Sequence, residues 1–144
     1  MLHRLRFIVA ALALLVIAGP AFAGPGLHLG FTASPDDFLV GFHFRSHPIA
    51  DHLELVPSVE AGFGDVTMIA GNADLHYVLQ VQSKLKPYLG GGFTANWFDF
   101  DGGSETDFGG SILGGIYLSP KITFETKVGL GDVPDWKFAF GFTR

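Results

Sequence analysis

The chain has 144 residues, no cysteine, twenty glycines and a formal net charge of −5. That length fits a single domain, and the acidic balance argues against nucleic acid as a partner. With no disulfide available, a domain of this size must draw its stability from another source.

Met1–Ala23 has the parts of a secretory signal peptide. Arg4 and Arg6 give a positive start, Phe7–Ala18 is an unbroken apolar run, and Gly19-Pro20 breaks the helix before the small-x-small site Ala21-Phe22-Ala23. The run is shorter than the roughly 17–25 residues a membrane helix needs. Cleavage is expected after Ala23. Residues 24–144 then form one domain, with seven Lys and Arg against fourteen Asp and Glu and a net charge of −7.

Beyond the leader one pattern repeats about eight times. Residues such as Leu27, Leu29 and Phe31, then Phe38, Val40, Phe42 and Phe44, are apolar at every second position. Ile122, Phe124, Val128 and Leu130, and Trp136, Phe138, Phe140 and Phe142, continue it near the end. Period two marks strands with one apolar and one polar face. Turn residues divide the chain into candidate strands at 26–33, 37–46, 52–62, 66–81, 85–98, 107–118, 121–130 and 135–143. Most suit the 9–11 residues of a tilted membrane strand. Pro57 removes a ladder donor inside the third strand, so a bulge is expected there.

An even number of hairpin-linked strands gives an up-and-down meander with both termini at one end. In a soluble barrel the apolar face fills the interior; in a transmembrane barrel it faces lipid. The apolar face is read here as outward. Glycines on the other face leave room for long side chains.

With the termini in the periplasm, Asp36, Asp37, Asp65, Asp99, Asp101, Glu105, Asp107, Asp132 and Asp135 fall at the external end. His47, His52, Lys84, Lys86, Lys121 and Arg144 fall at the periplasmic one. Trp97 and Trp136 then lie near the external rim, and Tyr77 and Tyr88 near the other, as interfacial girdles.

Gly71-Asn72-Ala73-Asp74-Leu75-His76-Tyr77-Val78-Leu79, followed by Lys86-Pro87-Tyr88-Leu89-Gly90-Gly91-Gly92-Phe93, resembles the central hairpin of small OmpA-type outer-membrane barrels. The resemblance implies an all-β, eight-stranded antiparallel up-and-down transmembrane β-barrel in the outer membrane of a Gram-negative bacterium. Outer-membrane lipid, lipopolysaccharide and the barrel-insertion machinery would be its partners. Such barrels usually end on an aromatic residue; here Thr143 and Arg144 trail beyond Phe142.

The polar face carries His28, Gly30, His43, Arg45, Glu54, Ser58, Glu60, Asn72, Asp74, His76, Thr94, Asn96, Ser111, Tyr117, Glu125, Lys127 and Lys137. These charges need partners when they leave water, and inside eight strands they can fill the bore as a network. Register brings Arg45 near Glu54, and Glu60 and Glu125 are placed to compensate Lys127 and Lys137.

No cofactor and no metal are expected. His43, His47 and His52 match no closed zinc spacing. Asp99, Asp101, Glu105 and Asp107 gather four carboxylates around a glycine turn without the full spacing of a calcium loop. That segment is expected to be the largest external loop and a contact surface for an external protein or a divalent cation. Ser58, His43 and Glu60 share a face but only as ordinary alternation, so no nucleophile is identified. The function expected is non-enzymatic: a structural or surface-interacting barrel. The alternatives are a lipid A-modifying outer-membrane enzyme and a soluble exported barrel holding a small apolar ligand.

Overall fold

The computed structural model describes residues 22–33, 36–46, 48–64, 67–100 and 102–144. The body of the leader and the connector residues Ser34, Pro35, His47, Asp65, Val66 and Asp101 lie outside that description. Eight strands follow in chain order: β1 Phe22–Ala33, β2 Asp37–Ser46, β3 Leu53–Gly64, β4 Thr67–Val78, β5 Lys86–Phe100, β6 Gly103–Tyr117, β7 Ile122–Gly131 and β8 Trp136–Thr143. Each pairs antiparallel with its sequence neighbour, and β1 pairs with β8 to close the barrel. Ten strand residues at about 3.3 Å each, tilted by about 40°, rise about 25 Å, the height of an apolar membrane band.

Pairing of β1 with β2 is irregular between Phe22 and Gly24 and regular beyond it. The even strand number brings β1 and β8 back to one end, where the Arg144 amide donates to the Pro25 carbonyl at 3.0 Å.

Side chains alternate between the two faces, most cleanly in β4 and β8. In β4 the even-numbered residues Met68, Ala70, Asn72, Asp74 and His76 are buried, while their odd-numbered neighbours are exposed. Leu29, Phe31, Phe42, Phe93, Ile112, Phe124, Phe140 and other large apolar side chains stand on the outer surface. Aromatic pairs reinforce that surface across strands: Phe31 meets Phe38 edge-on at 5.3 Å, and Phe124 meets Phe140 at 6.3 Å.

Two apolar clusters flank the polar middle of the bore. Leu39, Met68 and Ala70, with Phe98 against them, form one cluster at the end away from the termini; Tyr88, Leu113 and Tyr117, with Val78, form the other nearer the termini. Inward glycines make the polar middle possible. A Cβ on Gly41 would sit 2.5 Å from the His28 ring and 2.9 Å from Glu60 Cγ. Outward Gly71 has open space at the same place.

Three expectations need correction. Pro57 makes no bulge against β4, where it pairs in register with Ala73. Period two turns its missing donor toward β2, and the β2–β3 ladder stops at His43–Ser58, just before it. The chain opens there, and the Leu55 amide donates to Ser46 Oγ at 2.8 Å instead. Second, Asp99–Asp107 is no long loop. β5 and β6 each run for 15 residues and pair as far as Phe100–Gly103, so Asp99, Glu105 and Asp107 ride on a tight hairpin. The longer connectors, 47–52 and 79–85, lie at the end that holds the termini. Third, Tyr88 is no girdle residue: its parity points it inward, and it is 1% exposed, whereas Tyr77 on the outer face is 49% exposed.

Candidate functional site

Every charged residue expected on the polar face points into the bore, because β2, β6, β7 and β8 turn odd positions inward and β3, β4 and β5 turn even ones. Arg45 and Glu54 meet from adjacent strands, with Nε donating to Oε2 at 2.7 Å and Nη2 to Oε1 at 2.9 Å. The guanidinium also lies 4.0 Å from the centre of the Tyr117 ring, a cation–π contact.

Other contacts cross the bore. Lys127 Nζ on β7 donates to Asp74 Oδ2 on β4, and Lys137 Nζ on β8 to Glu60 Oε1 on β3, both at 2.5 Å. The expected compensation of Lys137 by Glu60 is present as this contact. Lys127 makes its hydrogen bond to Asp74, and Glu125 compensates it from longer range. Glu125 accepts from the Tyr88 hydroxyl at 2.7 Å and faces His76 Nε2 at 3.3 Å. Tyr88 also stacks on His76, with ring centres 4.3 Å apart.

A second chain of contacts runs from the end of β8 into the bore. One tautomer assignment satisfies it throughout. Thr143 Oγ1 donates to His43 Nε2 at 2.9 Å, His43 Nδ1 to His28 Nδ1 at 3.3 Å, and His28 Nε2 to Glu60 at 2.7 Å. Asn72 joins the strands beside it, donating to Ser58 Oγ at 3.1 Å and accepting from Thr94 at 2.7 Å. Sequence reasoning missed Thr143 and Tyr88 as members. Parity alone carries a signal for both, since each falls on the inward register of its strand.

A cavity of about 50 Å³ lies within the network, bordered by His28, His43, Glu60, Asp74, His76 and Glu125 among others. Asp74, His76 and Glu125 offer ligand atoms that lie within 4.8 Å of one another. The histidines of the 43–52 turn make no such group among the described residues. His43 points into the bore, and His52, at φ 63°, contacts Gln80 in the neighbouring connector.

The acidic residues of the hairpin are placed apart from this network. Asp99 and Glu105 are exposed and stand opposite Ser104 and Phe98 in the β5–β6 ladder. Asp107 lies opposite Asn96, and Asp101 lies outside the described residues. β7 joins β6 only from Gly109 onward, so the hairpin reaches past the β6–β7 ladder.

The closed eight-stranded fold is similar to that of small barrels from bacterial outer membranes. The N-terminal β-barrel domain of Pseudomonas aeruginosa OprF superposes with a TM-score of 0.59 at 16% identity, covering 83% of this chain and 95% of that one. Neisserial surface protein A matches with a TM-score of 0.54 at 15% identity, over 81% of this chain and 90% of that one. The Yersinia pestis outer membrane protein Ail, solved in a phospholipid bilayer nanodisc, gives 0.51 at 12% identity, over 84% and 99%. The likeness is one of fold. No protein-family model matches the chain, and no curated protein matches its sequence.

Proposed function

We propose that the mature chain is a non-enzymatic integral barrel of the outer membrane, exported by a cleaved leader, whose acidic hairpin meets basic partners outside the cell. One observation carries the membrane reading: large apolar side chains cover the outside of the barrel while paired charges fill the inside. Soluble monomers rarely expose apolar patches beyond a few hundred Å². A bore lined by carboxylates and ammonium groups also gives a small apolar ligand nothing to displace, which disfavours the soluble alternative. The fold shared with outer-membrane barrels supports the same location.

The side chains that acyl transfer would require are otherwise engaged. Ser58 Oγ accepts from Asn72, and both ring nitrogens of His43 are taken up by His28 and Thr143. Lipid and lipopolysaccharide then contact the belt. The outward Phe138, Phe140 and Phe142 of β8 offer the insertion machinery its aromatic strand. The hairpin's carboxylates repel anionic lipopolysaccharide unless divalent cations bridge them, and so favour basic proteins or cations.

An epitope tag inserted between Gly102 and Gly103 tests this reading. Antibody is expected to label intact cells while the barrel still migrates as a compact, heat-shifted band. Labelling only after the outer membrane is permeabilised would invert the topology and remove the surface role.

A further inference from the structure

Three acids of the bore are matched one to one by bases: Glu54 by Arg45, Asp74 by Lys127 and Glu60 by Lys137. Glu125 is a further acid of the bore, and among the described residues its hydrogen-bond and ion-pair contacts are Tyr88 and His76, with the Lys127 and Lys137 ammonium groups acting on it from longer range. A carboxylate in a bore of low dielectric calls for a cation beside it.

His76 is the group beside it, and its hydrogen bonds fix its tautomer. The Tyr117 hydroxyl donates its one proton to Glu54 Oε2 at 3.0 Å. It therefore accepts at its 3.1 Å contact with His76 Nδ1, which places the imidazole proton on Nδ1. The neutral ring then presents the Nε2 lone pair to a Glu125 carboxylate oxygen that is itself an acceptor, 3.3 Å away. In the neutral ring, two electron pairs face each other with no proton between them. Nearby, Asp74 Oδ1 is buried without a hydrogen-bond partner, as is His76 Nε2, and both residues are only 4% exposed.

We propose that Asp74, His76 and Glu125 form a binding site for one divalent transition-metal ion of the Zn²⁺ class. One imidazole nitrogen and two carboxylates suit zinc, with a water completing the shell. Two donors each about 2.0–2.1 Å from a tetrahedral ion stand about 3.3 Å apart, which is the spacing of His76 Nε2 and Glu125. The cavity of about 50 Å³ that these residues border has room for the ion and its water. The relay from His76 Nδ1 through Tyr117 to Glu54 is the outer-shell support that metal-bound histidines use to hold their ring and tautomer. The ion would bond Glu125 directly and tie β4 to β7 across the bore. Sequence spacing hides the site because its ligands come from strands on different sides of the barrel.

The test uses the purified chain, prepared without affinity histidines, stripped with chelator and titrated with Zn²⁺ by calorimetry. The wild type is expected to bind one equivalent, and His52→Ala to bind the same. His76→Gln and Glu125→Gln are each expected to weaken binding at least tenfold while circular dichroism still shows the strands. Tyr117→Phe is expected to weaken it less. Co²⁺ added to the wild type is expected to give visible bands of a four- or five-coordinate nitrogen–oxygen site, a readout that depends on no variant folding. A wild type that takes up no Zn²⁺, and whose His76 carries protons on both ring nitrogens by ¹⁵N NMR, would overturn the proposal. So would an affinity unchanged in both ligand variants.

Discussion

Arg45 and Glu54 face each other from neighbouring strands through two parallel hydrogen bonds of 2.7 and 2.9 Å, at the level where the β2–β3 ladder has already opened. A bidentate side-chain pair thus bridges two strands that no longer share backbone bonds there. Removing one partner leaves an uncompensated charge in the bore, which costs about 3–5 kcal/mol in a fully buried site. Arg45→Met and Glu54→Gln are each expected to destabilise strongly, and the double variant less than the sum. Urea unfolding of the four proteins measures the coupling; strictly additive effects would mean that the pair contributes nothing together.

The glycines divide by face, and substitution should divide them in the same way. Gly41→Val drives its side chain into the His28 ring and Glu60, so a loss of about 1–3 kcal/mol is expected from overpacking. Gly71→Val points into open space on the outer surface and is expected to leave stability unchanged or raised. Equal effects at the two positions, measured by the same unfolding assay, would contradict the assigned faces.

The hairpin carboxylates are expected to matter for contact and little for folding. Asp99→Asn with Glu105→Gln should change stability by less than about 0.5 kcal/mol, because both side chains are exposed. Binding of a basic test protein to intact cells should fall, and the remainder should lose most of its salt dependence. Binding that is unchanged in the variant, or insensitive to salt in the wild type, would place the contact elsewhere.

Much of the architecture is legible in the sequence because period two is a strong signal when one face is wholly apolar. The expected 37–46 and the observed Asp37–Ser46 coincide, and the last strand differs by one residue at its start. Local composition misleads at Asp99–Asp107. Its glycines and carboxylates read as a loop, yet β4 pairs with β5 as far as Asp99 and β5 with β6 as far as Gly103, so the ladder carries them. Tyr88 was misplaced for a related reason: residue type suggested an interface, whereas strand parity decides the direction.

Within the bore, what register can show ends at neighbouring strands. Arg45 and Glu54 lie nine residues apart across one connector, so their meeting can be read from a hairpin. Lys127–Asp74, Lys137–Glu60 and Tyr88–Glu125 join strands that are not neighbours. Which pairs meet there depends on the tilt and stagger of the closed barrel, and no linear spacing encodes those.

The apolar-out barrel is tested most directly by spin labels placed at Phe42, Phe93 and Phe124, which are 59%, 55% and 42% exposed on the outer surface. With the protein in bilayers, collision with lipid-soluble oxygen is expected to be frequent at all three sites. Collision with a water-soluble relaxant is expected to be rare. Labels at neighbouring inward positions such as Ser58 should show the reverse ranking or neither contact. Labels at the three phenylalanines that respond to the aqueous relaxant and are shielded from oxygen would contradict the membrane barrel.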